Sequence, residues 1–205
     1  MIIPNQNYEN QLYTQGYQYI AGIDEAGRGA WAGPLVSAAV IMPRDKIIKD
    51  IRDSKTLTPQ KREELCEDIK KISLSWSVAI ININFINQYN IGKANIKAFK
   101  MAINKLKIKP DYLLIDGILK LKNHPIQQQS IKNGDALVYS IAAASIIAKV
   151  ARDNILKKEH LRFPEYGFDE HKGYGTKKHQ EALGKYGICE IHRTLYKPII
   201  KIIGK

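Results

Sequence analysis

Asp24 and Glu25 stand side by side and run directly into a glycine-arginine-glycine turn, Gly27-Arg28-Gly29. The residues before them, Gln18 to Ile23, read as a short buried strand, so the spacing predicts two carboxylates where a strand ends and a loop begins. A carboxylate pair in such a place is costly to desolvate unless it stays wet or a cation neutralises it. Oxygen donors of this type select Mg²⁺ or Mn²⁺ over zinc, which prefers His and Cys. The neighbouring glycines leave backbone N–H groups open to a phosphate or sugar oxygen. Two further acids repeat the arrangement. Asp116 closes the apolar run Tyr112-Leu113-Leu114-Ile115 and precedes Gly117, and Gly134-Asp135 opens a long helical stretch.

Each of these acids also has a plainer reading. Asp24-Glu25 suits a surface hairpin turn, Asp116 a strand-to-turn aspartate, and Asp135 a charge set against a helix dipole. Gly27-x-Gly29-x-x-Ala32 also satisfies a loose dinucleotide fingerprint. Against that, the two acids would repel a pyrophosphate, and Leu35 to Ile41 reads as a strand rather than the helix that such a site needs. Four acids at the ends of separate core elements favour convergence. If those ends converge, they form a carboxylate cluster able to hold two divalent ions, the arrangement that activates water and steadies the leaving oxygen in phosphodiester cleavage.

The elements that must position these acids follow from hydrophobic periodicity. Strands are expected at Tyr19 to Ile23, Leu35 to Met42, Leu74 to Ile83 and Tyr112 to Ile115. Thr58-Pro59 is a helix start, N-cap then N1 proline, for Pro59 to Ile72. Further helices are expected over Lys93 to Leu106 and, longest of all, Asp135 to His160 with a buried small-residue face. From Phe163 onward basic residues crowd the chain, with Thr176 to Tyr186 as one more helix closed by Gly187. The expected architecture is α/β: a mixed sheet flanked by helices in one domain over residues 1–205, with 163–205 as a small helical, basic flap over the sheet.

The chain has 205 residues and a net charge of +12, which points to a polyanionic partner, most simply nucleic acid. Cys66 and Cys189 are far apart and have no partners at metal-ligand spacing, so two reduced thiols in a cytoplasmic protein are expected. No apolar stretch approaches the roughly 18 residues of a membrane span, and the N-terminus lacks a secretory pattern.

With these residues assembled, the chain resembles the ribonuclease HII family, the prokaryotic type 2 ribonucleases H. The matching tracts run in family order from about Tyr19 to Pro198. They include Gly22-Ile23-Asp24-Glu25-Ala26-Gly27-Arg28-Gly29, Asp53-Ser54-Lys55, Ile115-Asp116-Gly117, Gly134-Asp135, Ser140 to Val150, Arg152-Asp153, His171-Lys172-Gly173-Tyr174 and His192-Arg193. The resemblance implies a ribonuclease H-like fold and a site for two Mg²⁺ or Mn²⁺ ions built from Asp24, Glu25, Asp116 and Asp135. It implies that Gly27, Arg28 and Gly29 recognise a ribonucleotide 2′-hydroxyl and that Tyr174 packs on the next deoxyribose. Ser54 and Lys55 become phosphate contacts. Lys149 and Arg152 are phosphate contacts or a solvated helix face, and His192-Arg193 is structural or phosphate-facing.

The implied activity is endonucleolytic cleavage of the RNA strand of RNA/DNA hybrids, with nicking of duplex DNA 5′ to a single embedded ribonucleotide. The ends would be 5′-phosphate and 3′-hydroxyl, and the role removal of ribonucleotides from DNA. Two rivals stand beside it: a nuclease needing a longer ribonucleotide stretch, and a non-catalytic basic module that binds hybrids. Ala30-Trp31 and Asn133 depart from the usual family pattern, the latter replacing a lysine before Gly134-Asp135. A monomer is expected, without a long C-terminal extension for a clamp partner.

Overall fold

The computed structural model describes residues 3–204. After a first helix α1 (Asn7–Thr14), the apolar runs pair into one five-stranded sheet. Its strands are β1 (Ile20–Ala26), β2 (Leu35–Ile41), β3 (Ser75–Ile81), β4 (Tyr112–Asp116) and β5 (Gln127–Ile131), in the order β3-β2-β1-β4-β5. The hairpin β1-β2 and the β2-β3 pair are antiparallel, whereas β4 and β5 join parallel to β1. Such a parallel addition needs a crossover, and α3 (Ile83–Asn104) supplies it.

Strand alternation gives each face its own helix. Ala21 and Ile23 of β1, with Leu113 and Ile115 of β4, pack on Phe99, Ala102 and Ile103 of α3. On the other face α2 (Pro59–Ile72) and α5 (Tyr139–Arg162) cover β2 through Leu65, Ile69 and the small residues Ala142, Ala143 and Ala144. The small face lets α5 approach very closely. Gly22 of β1 meets the Ser140 backbone so tightly that a Cβ would overlap the Ser140 carbonyl carbon.

Several boundaries differ from expectation. β1 runs on to Ala26 because β2 pairs with it as far as Ala26↔Val36, so Asp24 and Glu25 are strand residues rather than loop residues. α3 begins ten residues before Lys93, at Ile83 capped by Asn82. It turns at Asn90, whose side chain accepts from Gly92 N and Lys93 N at 2.9 and 3.1 Å and starts the second half afresh. The stretch from Asp135 onward is two helices, α4 (Gly134–Leu137) and α5, separated by Val138 in an extended conformation. β5 was not anticipated because Gln127-Gln128-Gln129 lacks the apolar alternation of a half-buried strand; its polar side chains suit an edge.

Beyond Phe163, three helices follow: α6 (Phe168–His171), α7 (Lys177–Tyr186) with Thr176 as N-cap, and α8 (Lys197–Ile203). This segment builds its own apolar cluster from Tyr166, Phe168, Leu183, Ile191 and Ile199, with Leu156 of α5 and Ala32. It therefore packs on the far half of α5 and on the β1-β2 connection, where Ala32 bridges His192, rather than over the sheet. No helix among the described residues is long and apolar enough to cross a membrane.

Replacing Gly22 with Ala is expected to destabilise the fold by about 3 kcal/mol or more, because neither partner of the overlap is a movable side chain. Urea unfolding of the variant beside the parent reads the difference directly; a midpoint shift worth under about 0.5 kcal/mol would contradict this close contact.

Candidate active site

The parallel register of β1 and β4 creates the site. Their last pair is Ile23↔Ile115, so the next residue on each strand is an aspartate, Asp24 on one and Asp116 on the other. Neighbouring parallel strands in register present equivalent residues to the same face, about 5 Å apart. Asp24 and Asp116 thus share the α5 face. Glu25 alternates toward the α3 side, where the buried Asn95 bonds to its carboxylate.

Asp135 reaches the same corner from α4. Asn133 takes the left-handed conformation (φ 55°, ψ 39°) before it, a geometry that Asn tolerates well, so the departure from lysine suits the turn. Gly134 N then donates to Asp116 Oδ1 at 2.7 Å and Asp135 N to the same oxygen at 3.4 Å. Lys55 Nζ donates to Asp135 Oδ2 at 2.9 Å. The turn that carries Ser54 and Lys55 is held by Arg62, a residue the sequence reading passed over. Its guanidinium donates to Ser54 O and Leu57 O at 2.8 and 2.9 Å.

The electrostatics are those of crowded anions. Burial, then repulsion from Glu25 and Asp116, pushes the Asp24 carboxyl well above its ordinary range. Burial raises Glu25 to about 7, with Asp116 adding to the shift and Arg28, 3.9 Å away, opposing it. Asp116 is raised by burial and by Asp135. Lys55 shifts upward despite its own desolvation, because Asp135 and Asp53 hold its proton. Among the described residues, no three acidic, His or Cys side chains already converge as ligands of one ion. Asp135 is turned onto Lys55, and Asp116 onto the Gly134 amide. The donor set nevertheless suits a hard divalent cation, because it is made of carboxylate oxygens alone.

A cleft of about 360 Å³ opens over Asp24 and Glu25, lined also by Ser54, Lys55, Lys149 and Tyr174 among others. Gly27 sits beneath it at φ 93°, where a side chain would strain the backbone and a Cβ would overlap the Arg152 guanidinium. Arg28 and Gly29 are exposed at the rim. Ser145, also missed in the sequence, lines the cleft from α5 with a buried hydroxyl that has no hydrogen-bond partner.

The expectation for Arg152 needs correcting. It is fully buried, and its guanidinium donates to Pro34 O, Lys172 O and Ala32 O at 2.8 to 2.9 Å, so it neither faces solvent nor reaches a phosphate. A planar fork of donors is suited to gathering three carbonyls from two loops. Arg193, equally buried, does the same for Gly33 O, Pro34 O and Arg28 O. Lys149 is half-buried and bonded to Asp153 at 2.6 Å. Burial draws its ammonium below the ordinary range, and Arg62 and Arg152 add to this against the pull of Asp153.

Tyr174 is fixed from behind by histidines. His179 Nδ1 lies 3.0 Å from Tyr174 O, His179 Nε2 lies 3.0 Å from His192 Nε2, and Cys189 N donates to His192 Nδ1 at 2.9 Å. One set of neutral tautomers satisfies this chain, with His179 protonated on Nδ1 and His192 on Nε2. Burial lowers both to about 4, so the neutral forms hold at physiological pH. Trp31 packs on His179 and against Gly175, while its amide donates to Gly173 O at 2.8 Å. The unusual tryptophan thus latches the glycine turn to the tyrosine loop.

A mixed sheet with acids at the ends of adjacent parallel strands, faced by a glycine turn and a basic cleft, is the frame of a ribonuclease H-like hydrolase. The family model for Ribonuclease HII matches residues 21–199. The Ribonuclease HII of Caldicellulosiruptor bescii is 50% identical over 192 residues, covering 92% of this chain and 93% of that protein. That of Acholeplasma laidlawii is 50% identical over 99% of both. Among solved structures, the ribonuclease H2 from Pyrococcus horikoshii OT3 superposes with a TM-score of 0.77 at 28% identity, over 90% of this chain and 97% of that one. Bst-RNase HIII in complex with Mn²⁺ reaches 0.72 at 18% identity, over 98% and 74% respectively. The chain belongs to the ribonuclease HII family, and is a nuclease with ribonuclease H activity on RNA/DNA hybrids.

The crowding of acids has a thermodynamic signature. Because Glu25 titrates near 7 in the fold against 4.5 ordinarily, the folded protein holds the extra proton, and stability falls as pH rises through that window. With divalent ions chelated, Glu25→Gln should therefore exceed the parent at pH 8 by about 1–3 kcal/mol, the gap closing toward pH 4.5. Denaturant titrations at several pH values test this. A gap that does not change with pH would refute the raised carboxyl.

Proposed function

We propose that this protein cuts the RNA strand of RNA/DNA hybrids and nicks duplex DNA on the 5′ side of a single embedded ribonucleotide, leaving 5′-phosphate and 3′-hydroxyl ends. The observation that supports this most is the register Ile23↔Ile115, which sets Asp24 beside Asp116 and lets α4 add Asp135. Asp24, Glu25, Asp116 and Asp135 are the residues that would hold Mg²⁺ or Mn²⁺, two ions in this reading. When bound, these ions would supply a polarised water as nucleophile and positive charge for the leaving oxygen. The protein's own contribution is to fix the acids and orient the strand.

Orientation falls to the rim. In the turn Gly27-Arg28-Gly29, Arg28 and Gly29 are exposed beside the acids, where a 2′-hydroxyl can be tested as donor and acceptor. Tyr174 presents a ring to the deoxyribose that follows, with its carbonyl anchored by His179. Lys55, exposed and paired with Asp135 at the edge of the cleft, meets the scissile phosphate together with Ser54. Lys149 lies on the opposite wall, within 5.8 Å of the Tyr174 ring, and completes the phosphate path. Arg152 takes no part in contact; it holds the glycine turn from below. Removal of ribonucleotides from DNA follows as the biological role.

End-labelled duplex DNA carrying one ribonucleotide, incubated with Mg²⁺ or Mn²⁺ beside an all-DNA duplex and an RNA/DNA hybrid, tests the reading. The expected result is one nick 5′ to the ribonucleotide, none in the all-DNA duplex, and loss of at least about a thousandfold in rate for Asp24→Asn with hybrid binding retained. Cleavage of the long hybrid alone would support the longer-stretch nucleases instead. Normal turnover by Asp24→Asn would remove the carboxylate site.

For Tyr174→Ala the expectation is narrower. Nicking at a single ribonucleotide should fall by about ten- to a hundredfold, as loss of one stacking contact implies, while cleavage within a continuous hybrid falls less. Equal losses on both substrates would take away its role at the deoxyribose.

A further inference from the structure

We infer that the segment before β1, residues 5–9, is a clamp that positions Asp135, and that Glu9 is its positioning residue. The inference rests on the reading of Asp135 as an ion-holding acid. Residues 5–9 lie outside the stretch 21–199 matched by the family model.

The sequence from Asp135 to His160 has the periodicity of one helix, yet the chain breaks at Val138 (φ −114°, ψ 124°). A break frees backbone groups that an unbroken helix would have paired, and it persists only where other partners take them. Asn5 N donates to Leu137 O at 3.1 Å, and Tyr139 N donates to Asn5 O at 3.0 Å, a parallel bridge around Val138. Glu9 Oε1 then accepts from Ser140 N at 2.9 Å, in the first turn of α5, whose own N-cap residue makes no side-chain bond. The cap arrives from 131 residues away. Leu12 of α1 seals the junction in one cluster with Val138 and Ile141.

The consequence falls on α4. It is a single turn of four residues, too short to persist by itself, and it carries Asp135 three positions before the break. On its other side its side-chain ties run through the Asp116 carboxylate and Lys55, groups that belong to the site and must adjust when ions or phosphates arrive, while β5 ends two residues short of it and anchors the chain there. The fixed end is the one held by Asn5 and Glu9. Glu9 is 3% exposed, and its second oxygen has no hydrogen-bond partner, so this acid is kept in the interior at a cost.

The test compares Glu9→Ala, Glu9→Gln and Asp135→Asn in the full chain. Mn²⁺ binding without substrate is followed by electron paramagnetic resonance, kcat and KM are measured on the ribonucleotide-containing duplex, and melting temperature is recorded. We expect Glu9→Ala to weaken Mn²⁺ binding and lower kcat by about tenfold, the scale of outer-shell support, with KM within about twofold. Glu9→Gln keeps an oxygen acceptor and should recover most of both. Ile103→Ala, in the α3 cluster on the far face, should lower the melting temperature without moving Mn²⁺ affinity. Should Glu9→Ala not fold, Asn5→Pro removes the donor to Leu137 O together with the side-chain acceptor for Asn7 N, whereas Asn5→Ala removes only the latter; the same loss is expected in Asn5→Pro and not in Asn5→Ala. Weakened Mn²⁺ binding in Asp135→Asn, with both clamp variants binding like the parent, overturns the clamp and leaves the acid's role standing. Unchanged binding in Asp135→Asn overturns that role and the clamp with it.

Discussion

Carboxylates that repel one another can share a buried corner only if the backbones that carry them are tied together elsewhere. That constraint runs through the whole molecule. Asp24 and Asp116 cannot move apart because the parallel pairing of β1 and β4 ends one residue before them. Asp135 is brought in by an amide-carboxylate contact at Asp116 and a left-handed Asn133. The strain is visible in the upward displacement of the Asp24, Glu25 and Asp116 carboxyls, each chiefly through burial. Stability is spent locally so that positive charge is attracted there, a trade common to sites that must be poised rather than relaxed.

The restraints lie in two shells. Immediately behind the acids, α5 presses its small-residue face on β1, and Gly22 removes the one side chain that would hold them apart. Farther out, Arg152 and Arg193 gather five carbonyls, those of Arg28, Ala32, Gly33, Pro34 and Lys172, with Pro34 O shared by both. The Gly27-Arg28-Gly29 turn and the loop that bears Tyr174 are therefore parts of one hydrogen-bonded unit. Trp31 and the His179-His192 pair close that unit on its inner side.

Much of this was legible before any coordinates. Thr58-Pro59 marks the start of α2, Gly187 the end of α7, and the apolar runs give four of the five strands, because local signals and tertiary packing agree there. The four acids stood out because each ends or opens a core element. What was hidden depends on distant partners. Val138 breaks a helix that its own neighbours would continue, since Asn5 and Glu9 satisfy the break from the other end of the chain. β5 is polar because it is an edge. Arg152 reads as a surface cation by type, and only the carbonyls of Ala32, Pro34 and Lys172 make its burial tolerable. Arg62 and Ser145 sit on helices whose periodicity marks them as ordinary, with no local pattern to single them out.

The inward-facing guanidinia also change how the chain's electrostatics should be counted. Of 32 lysines and arginines, Arg152 and Arg193 are sealed at 0% exposure, and the buried Arg62 is committed to Asp153. A polyanion sheds its condensed counterions only against cations that reach its phosphates. Sealed charges shed none. The ionic-strength sensitivity of polyanion binding is therefore set by outward residues such as Lys55 and Lys177, not by the formal charge of +12.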